Sequence, residues 1–373
     1  MHSPDPVPPG SDSPRDDALV ERVVVAGASA GGLEPLVSLV RGLPVDFPAA
    51  VCIVLHTPPH SPGRIAQVLA RSCRLPVGNA VDDEPLRPGH VYVAPPDRHL
   101  VLELGRVRLT HGPRENRQRP AVDALFRSAA FVYGARAVGI VLSGALDDGT
   151  AGLWALKDRG GVAIVQDPDE ALFPWMPQSA MQHVSVDHVV AAAELAPLLL
   201  GLVSAPTAPS GDTPVSRELE VVNHIAKGGS PMDAGVMELG PTTPYTCPDC
   251  SGVLMRVSEG GVAAYRCHTG HAFSFDTLLA TTTEHTDEML WNALRSTEEV
   301  MLLLQQAARS ARERRDLPAA ADAERRVAEV HQRADLLREV VKQHRALATA
   351  PLGAQAPGRP GAPPPLQDSA GAS

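Results

Sequence analysis

The sequence predicts an α/β protein. A doubly wound, mostly parallel sheet carries a β-hairpin, and a small cysteine-built module and a C-terminal helical hairpin follow it. Three observations carry this prediction. Apolar, β-branched runs alternate with stretches where leucine and valine recur at helical spacing, which marks repeated βα units. The runs are apolar throughout, so the strands are covered on both faces. From Glu284 onward the apolar residues recur at alternating intervals of four and three, the seam of a coiled coil.

Residues 1–20 are rich in Pro, Ser and Asp and read as a disordered tail. The sheet domain occupies 21–203. It opens with a strand over 22–26 and a helix over 31–42, then a strand over 50–56 and a helix near 64–72. His90 to Ala94 form a short strand that ends in the Pro95-Pro96-Asp97 turn, and Leu100–Leu102 with Val107–Leu109 form a hairpin. A helix over 120–134 leads into a buried strand over 137–142. A helix over 149–159, a strand over 162–166 and a last helix over 190–203 complete the domain.

Residues 204–216 (S-A-P-T-A-P-S-G-D-T-P-V-S) are a linker by composition. A second domain, 217–283, holds a short helix at 217–227 and then three of the five cysteines. In 284–349, Leu290, Leu294, Thr297, Met301, Leu304 and Ala308 lie on one seam. Asp316-Leu317-Pro318 is a helix-entry signal, after which Val327, Val330, Ala334, Leu337 and Val341 resume the seam. The expected object is an antiparallel helical hairpin, or half of a homodimer. Residues 350–373, low-complexity Ala, Pro and Gly, read as a second disordered tail.

Composition excludes several classes of function. A formal net charge of −10 and a pI near 5.8 argue against a non-specific binder of nucleic acid or anionic membranes. Aromatic residues are only 3%, too few for a base-stacking platform. The longest apolar stretch, Val189 to Val203, contains Glu194 and Pro197 and is too short to span a bilayer. The first residues lack the basic and apolar parts of a signal peptide, so a cytoplasmic protein is expected. An odd number of cysteines, five, does not suggest a disulfide scaffold.

The first strand runs directly into Gly27-Ala28-Ser29-Ala30-Gly31, a lone hydroxyl at a sharp strand-to-helix turn. Small-x-Ser-x-small is the pattern of a nucleophile elbow. A dinucleotide-binding turn would want glycine where Ser29 stands and an acid after the second strand, which ends in His56. A phosphate loop would want Gly-Lys-Ser/Thr, and no lysine is near. Ligands of an open parallel sheet sit at the carboxyl ends of its strands. Ser29 ends the first strand, His56 the second, and Ser143 to Gly149, with Asp147 and Asp148, follow the strand 137–142. Alone, His56 could bond backbone and Asp148 could cap a helix. Together with Ser29 they are a nucleophile, a base and an orienting carboxylate. The order Ser…His…Asp differs from that of the α/β-hydrolases.

Five segments, G-A-S-A-G-G (27–32), L-H-T-P-P (55–59), P-G-H-V-Y-V-A-P-P-D-R-H (88–99), H-G-P-R-E-N-R-Q-R-P-A-V-D-A-L-F (111–126) and S-G-A-L-D-D-G-T-A-G (143–152), occur in order and closely resemble the catalytic domain of the chemotaxis protein-glutamate methylesterases, CheB. The resemblance covers about 22–203. It implies that Ser29, His56 and Asp148 form the triad. It also implies hydrolysis of γ-glutamyl methyl esters on chemoreceptors, with glutamine deamidation in some members and no catalytic cofactor. Backbone N–H groups near Ala30 and around 144–146 are the expected oxyanion donors. Asn116 and Arg119 should rim the cleft, as substrate contacts or as turn-building residues. Ala30, Ala145 and Leu146 replace the threonine, methionine and glycine common in the family, which reshapes the pocket wall. About 20 residues precede the first strand, so the receiver domain usual in the family, and control through it, are not expected.

The cysteine module reads C-P-D-C (247–250) and then Y-R-C-H-T-G-H (265–271). In an intracellular protein, C-x2-C followed by Cys and His at this spacing is a zinc-ribbon signature, since thiolates and imidazole suit a tetrahedral structural zinc. Cys247, Cys250, Cys267 and His271 are the expected ligands, with His268 the alternative fourth. A metal-free redox pair is the competing reading. A similar ribbon followed by helices accompanies many stand-alone relatives of the methylesterase. A second class of function also stays open, a non-catalytic regulatory protein whose ribbon and helices recruit partners.

Overall fold

The computed structural model describes residues 20–206, 214–259 and 262–348. Apart from Val20, the expected N-terminal tail lies outside these residues, as do the tail over 350–373 and much of the linker. Cα packing divides the chain into two compact units, one through Leu279 and one from Ala280.

The first unit is built on seven parallel strands. β1 (Val23–Ala28), α1 (Leu33–Gly42), β2 (Ala50–Leu55), α2 (Ile65–Ala70), β3 (Val77–Asn79) and β4 (Val91–Val93) come first. A separate antiparallel hairpin follows, β5 (His99–Glu103) with β6 (Arg106–Thr110). Then come α3 (Val122–Tyr133), β7 (Ala137–Val141), α4 (Thr150–Asp158), β8 (Val162–Gln166), α5 (Trp175–His183), β9 (His188–Val190) and α6 (Leu195–Ser204). Spatial order is β3-β4-β2-β1-β7-β8-β9, so the first strand lies at the centre.

Alternation along the central strands feeds two cores. Val23 and Val25 of β1 join Cys52 and Val54 of β2 on the face covered by α3, α4 and α5. Val24, Ala26 and Ala28 join Val51, Ile53 and Leu55 on the face covered by α1, α2 and α6. Both faces are buried, as parallel strands without a polar alternation require. Gly27 is obligatory for a local reason, since a Cβ there would lie 2.1 Å from Val122 Cγ1 at the start of α3.

The structure differs from the sequence-based expectation where elements are short. The stretch 190–203 is not one helix: His188–Val190 pair with β8 as the edge strand, and α6 starts only at Leu195. Three-residue β3 and polar α5, with little apolar periodicity, were not expected.

α7 (Arg217–Ala226) and a four-stranded antiparallel sheet complete the first unit. The strands are β10 (Thr242–Thr246), β11 (Val253–Glu259), β12 (Val262–Cys267) and β13 (Ala272–Ser274), in sequential order. Leu219 and Val222 of α7 enter the core that covers the large sheet. Thr110 Oγ1 donates to Ala226 O at 2.5 Å.

α8 (Phe275–Glu313) begins directly after β13, and α9 (Leu317–Ala348) follows a short turn. Within the second unit the expected seam is its buried stripe, with Leu294, Ala308, Val330, Ala334 and Val341 all buried. Arg338 reaches Glu298 at 2.6 Å, and Arg312 pairs with Glu324, so the two helices run antiparallel.

Candidate active site and metal cluster

Three strand ends build the site. Ser29 follows β1, and its N–H donates to Ser143 O at 3.0 Å, joining the ends of β1 and β7. His56 follows β2, and its N–H donates to Ala28 O at 3.1 Å, joining the ends of β2 and β1. Asp148 lies on the loop between β7 and α4. That loop reverses at Leu146 (φ 60°) and at Gly149 (φ 97°), the second a left-handed position suited to glycine.

His56 Nε2 and Asp148 Oδ2 are 2.7 Å apart, and both side chains are almost wholly buried. The carboxylate is fully satisfied. Oδ2 also accepts from Val122 N at 2.7 Å, while Oδ1 accepts from Asn116 Nδ2 at 3.1 Å and from Asp123 N at 3.3 Å. Burial alone would raise the Asp148 pKa. The hydrogen bond and charge of His56, with the Val122 and Asn116 donors, outweigh it and hold the carboxyl well below its ordinary value. An anion at Asp148 fixes the proton of His56 on Nε2 and leaves Nδ1 as the basic nitrogen. Among the described residues no hydrogen bond joins Ser29 to His56. Such contacts are commonly loose before substrate enters.

The other expected residues fall into place unequally. Ala30 and Ala145 flank the Ser29 turn and the Asp148 loop, and Ala145 is exposed. Gly144 N–H is spent on Phe173 O at 2.9 Å, which removes it from the expected oxyanion donors. Among the described residues the Ala30 and Ala145 N–H groups have no backbone acceptor. Arg119 lines an open groove of about 330 Å3 beside His56, with Thr57, Pro58, Pro59, Arg114, Arg117 and Gln118. Its guanidinium is also held to Asp97 at 2.8 Å and to Gly112 O at 3.0 Å. Asn116 is buried away from this groove, in a left-handed turn conformation (φ 49°), with its amide on Asp148 and on Asp123 at 3.2 Å.

Three contributors were missed in the sequence. Asp123 accepts from Gly149 N at 3.0 Å and from Gly152 N at 2.7 Å, and so fixes the turn carrying Asp148. Its place inside the R-P-A-V-D-A-L-F segment was the available signal. Ser143 is a buried brace: its Oγ donates to Ala30 O at 2.9 Å and accepts from Phe173 N at 3.0 Å. His99, lowered by burial to about 4, is a neutral structural imidazole between Pro113 O and Ala121 N.

The cysteine module brings four metal-ligating side chains together. One ligand atom each from Cys247, Cys250, Cys267 and His271 lies within 4.8 Å of all the others. Cys250 and Cys267 sulfurs are 3.6 Å apart, and His271 Nδ1 lies 3.7 Å from Cys247 and 3.6 Å from Cys267. A tetrahedral ion with metal–sulfur bonds of about 2.3 Å needs sulfurs about 3.8 Å apart, so the residues fit a metal. His268 is outside the group and stands over Gly252 instead.

A mostly parallel sheet that brings a strand-end serine to the same edge as a bonded His–Asp pair has the architecture of a hydrolase. More particularly, the chain belongs to the CheB methylesterase family, whose model matches residues 24–199. A Leptospira interrogans relative is 37% identical over 180 residues, 48% of this chain and 93% of that protein. The Anaeromyxobacter dehalogenans protein-glutamate methylesterase/protein-glutamine glutaminase 2 is 42% identical over 183 residues, 49% of this chain. The match spans 53% of that relative's length. Among solved structures, the Thermotoga maritima CheB methylesterase catalytic domain is 35% identical, covering 49% of this chain and 98% of that one, with a TM-score of 0.48.

Proposed function

We propose that this protein hydrolyses methyl esters of glutamate side chains on chemoreceptor-type proteins, with Ser29 as nucleophile, His56 as base and Asp148 as its orienting anion. The observation that carries the reading is the 2.7 Å His56–Asp148 bond at the strand edge where Ser29 stands. Family membership supports the substrate class.

Ser29 Oγ attacks the ester carbonyl as its proton passes to His56 Nδ1. The Ala30 and Ala145 N–H groups would receive the oxyanion, each worth roughly 3–4 kcal/mol by comparison with a known donor. The tetrahedral adduct collapses to the acyl-enzyme, and His56 returns the proton to the departing methoxide, giving methanol. A water deprotonated by His56 then releases the glutamate and restores Ser29. A glutamine amide in the same position would lose ammonia, which is the deamidase activity named for relatives. The groove beside His56, lined by Arg114, Arg117 and Arg119, suits an acidic segment of the substrate.

A structural zinc on Cys247, Cys250, Cys267 and His271 holds the ribbon. No step of the hydrolysis uses it. The protein works in the cytoplasm, where such receptor segments and reduced thiolates occur together. None of the helices described is long and apolar enough to cross a membrane. The C-terminal helices, with Trp291, Leu302 and Leu303 exposed, are the surface through which two copies would pair.

The experiment is methanol release from a methylated receptor fragment. Release by the wild type that falls to background in Ser29→Ala supports the reading, and equal release by both refutes it.

A further inference from the structure

Asn116 is the residue through which the ribbon reaches the triad. An asparagine amide has one end that only accepts and one that only donates, and its neighbours decide which way it points. The backbone N–H of Ser274, at the end of β13, donates to Asn116 Oδ1 at 2.9 Å. This leaves Asn116 Nδ2 facing Asp148 Oδ1. A second bond reaches the neighbouring residue of the triad loop, since Ser274 Oγ donates to Asp147 Oδ1 at 2.7 Å, joined there by Thr277 Oγ1 at 3.2 Å.

The surrounding contacts make this a built junction. Ala272 N donates to Arg114 O at 3.3 Å, and Asn116 N donates to Ala272 O at 2.8 Å, so β13 runs as a short parallel bridge along 114–116. Glu115, between these residues, is buried against Arg127 of α3 and against Arg266 of β12, the latter at 3.6 Å. Glu115, Arg127 and Arg266 are almost wholly withdrawn from water, and Asn116 and Asp147 are buried beside them. Hydrogen bonds of this kind hold one arrangement firmly and are costly to leave unmade.

We propose that Ser274 is a positioning residue of the hydrolase, and that the stretch 272–277 of the ribbon is a strut orienting Asn116 and the loop that bears Asp148. The proposal rests on Asp148 being the aspartate of the triad. The strut touches neither substrate nor reacting atoms. Its effect is confined to how well His56 is aimed, so loss of it slows turnover and leaves substrate binding alone.

The test uses the full chain with Ser274→Ala, Ser274→Thr and Thr277→Val. Ser274 Oγ also accepts from Thr277 N at 3.0 Å and so caps α8, and Thr277→Val leaves that cap intact while removing a donor to Asp147. On methylated receptor fragment, kcat should fall about tenfold in Ser274→Ala, the worth of one hydrogen bond to a charged group. KM should stay within twofold. Thr277→Val should show a smaller fall of the same kind, and Ser274→Thr, which keeps the hydroxyl, should recover most of the rate. Amide hydrogen exchange should quicken at 145–150 in Ser274→Ala, where the Oγ bond to Asp147 is lost, and change less at 114–118, which the main-chain N–H of residue 274 still holds. Unchanged exchange at 145–150 overturns the strut, as does a kcat within twofold of wild type or a loss that appears only in KM. If the wild type itself releases no methanol, the functional reading has failed on its own, and exchange still decides the strut.

Discussion

His56 and Asp148 stand 92 residues apart in the chain and meet through a 2.7 Å hydrogen bond from Nε2 to Oδ2. Asp148 spends its remaining capacity on Val122, Asn116 and Asp123, so it is held as an anion in one orientation. The imidazole is thereby fixed in the tautomer that offers Nδ1 as a base. Replacing Asp148 by Asn keeps the shape but reverses that choice. Steady-state kinetics of Asp148→Asn should show kcat reduced by roughly 10^4, with KM little changed.

Asn116 and Arg119 should separate cleanly. Asn116 is buried on Asp148, whereas Arg119 lines the open groove. Asn116→Ala should lower kcat with KM unaltered, and should cost about 1–3 kcal/mol in denaturant unfolding because it strands buried partners. Arg119→Ala should act mainly on KM for an acidic substrate, and that effect should shrink as salt is added.

Asp147 gives the protein a readable pH dependence. Burial raises its carboxyl to about 6, the neighbouring Asp276 and Asp148 charges add to this, and the Ser274 and Thr277 donors oppose it. Between the ordinary carboxylate range near 4 and about 6, the folded state therefore holds a proton that the unfolded chain has lost. Stability from this group falls as pH rises through that window. Asp148 is shifted the other way, so its contribution is lost only below the ordinary carboxylate range. Thermal melts at several pH values should show Asp147→Asn more stable than wild type at pH 8, with the two converging near pH 4.

Metal analysis of purified protein should return about one zinc per chain, and Cys267→Ser should abolish it. Strong chelation should melt the ribbon sheet, seen as faster amide exchange across β11 and β12. Retained protection there after complete metal loss would show that the ribbon holds without the ion.

The large sheet was legible in the sequence because its central strands are buried on both faces and so are apolar without interruption. Ser29, His56 and Asp148 were legible because each terminates such a strand or its turn. Short β3 and β9 were not, since three residues give no period to read. Asn116 was expected in the segment that rims the cleft, as a substrate contact or as a turn-building residue. Besides nearby Asp123, its partners come from β13 and from the loop after β7, far away in sequence, and no local pattern encodes those. The same holds for Ser274, an ordinary helix-capping serine until the ribbon is seen against the triad loop.

The most direct measurement is covalent trapping with a fluorophosphonate, read by intact mass and peptide mapping. A single adduct on Ser29, absent in Ser29→Ala and formed far more slowly in His56→Ala, is the expected result. An adduct on another residue, or labelling of Ser29 that is indifferent to His56, would contradict the assigned nucleophile and base.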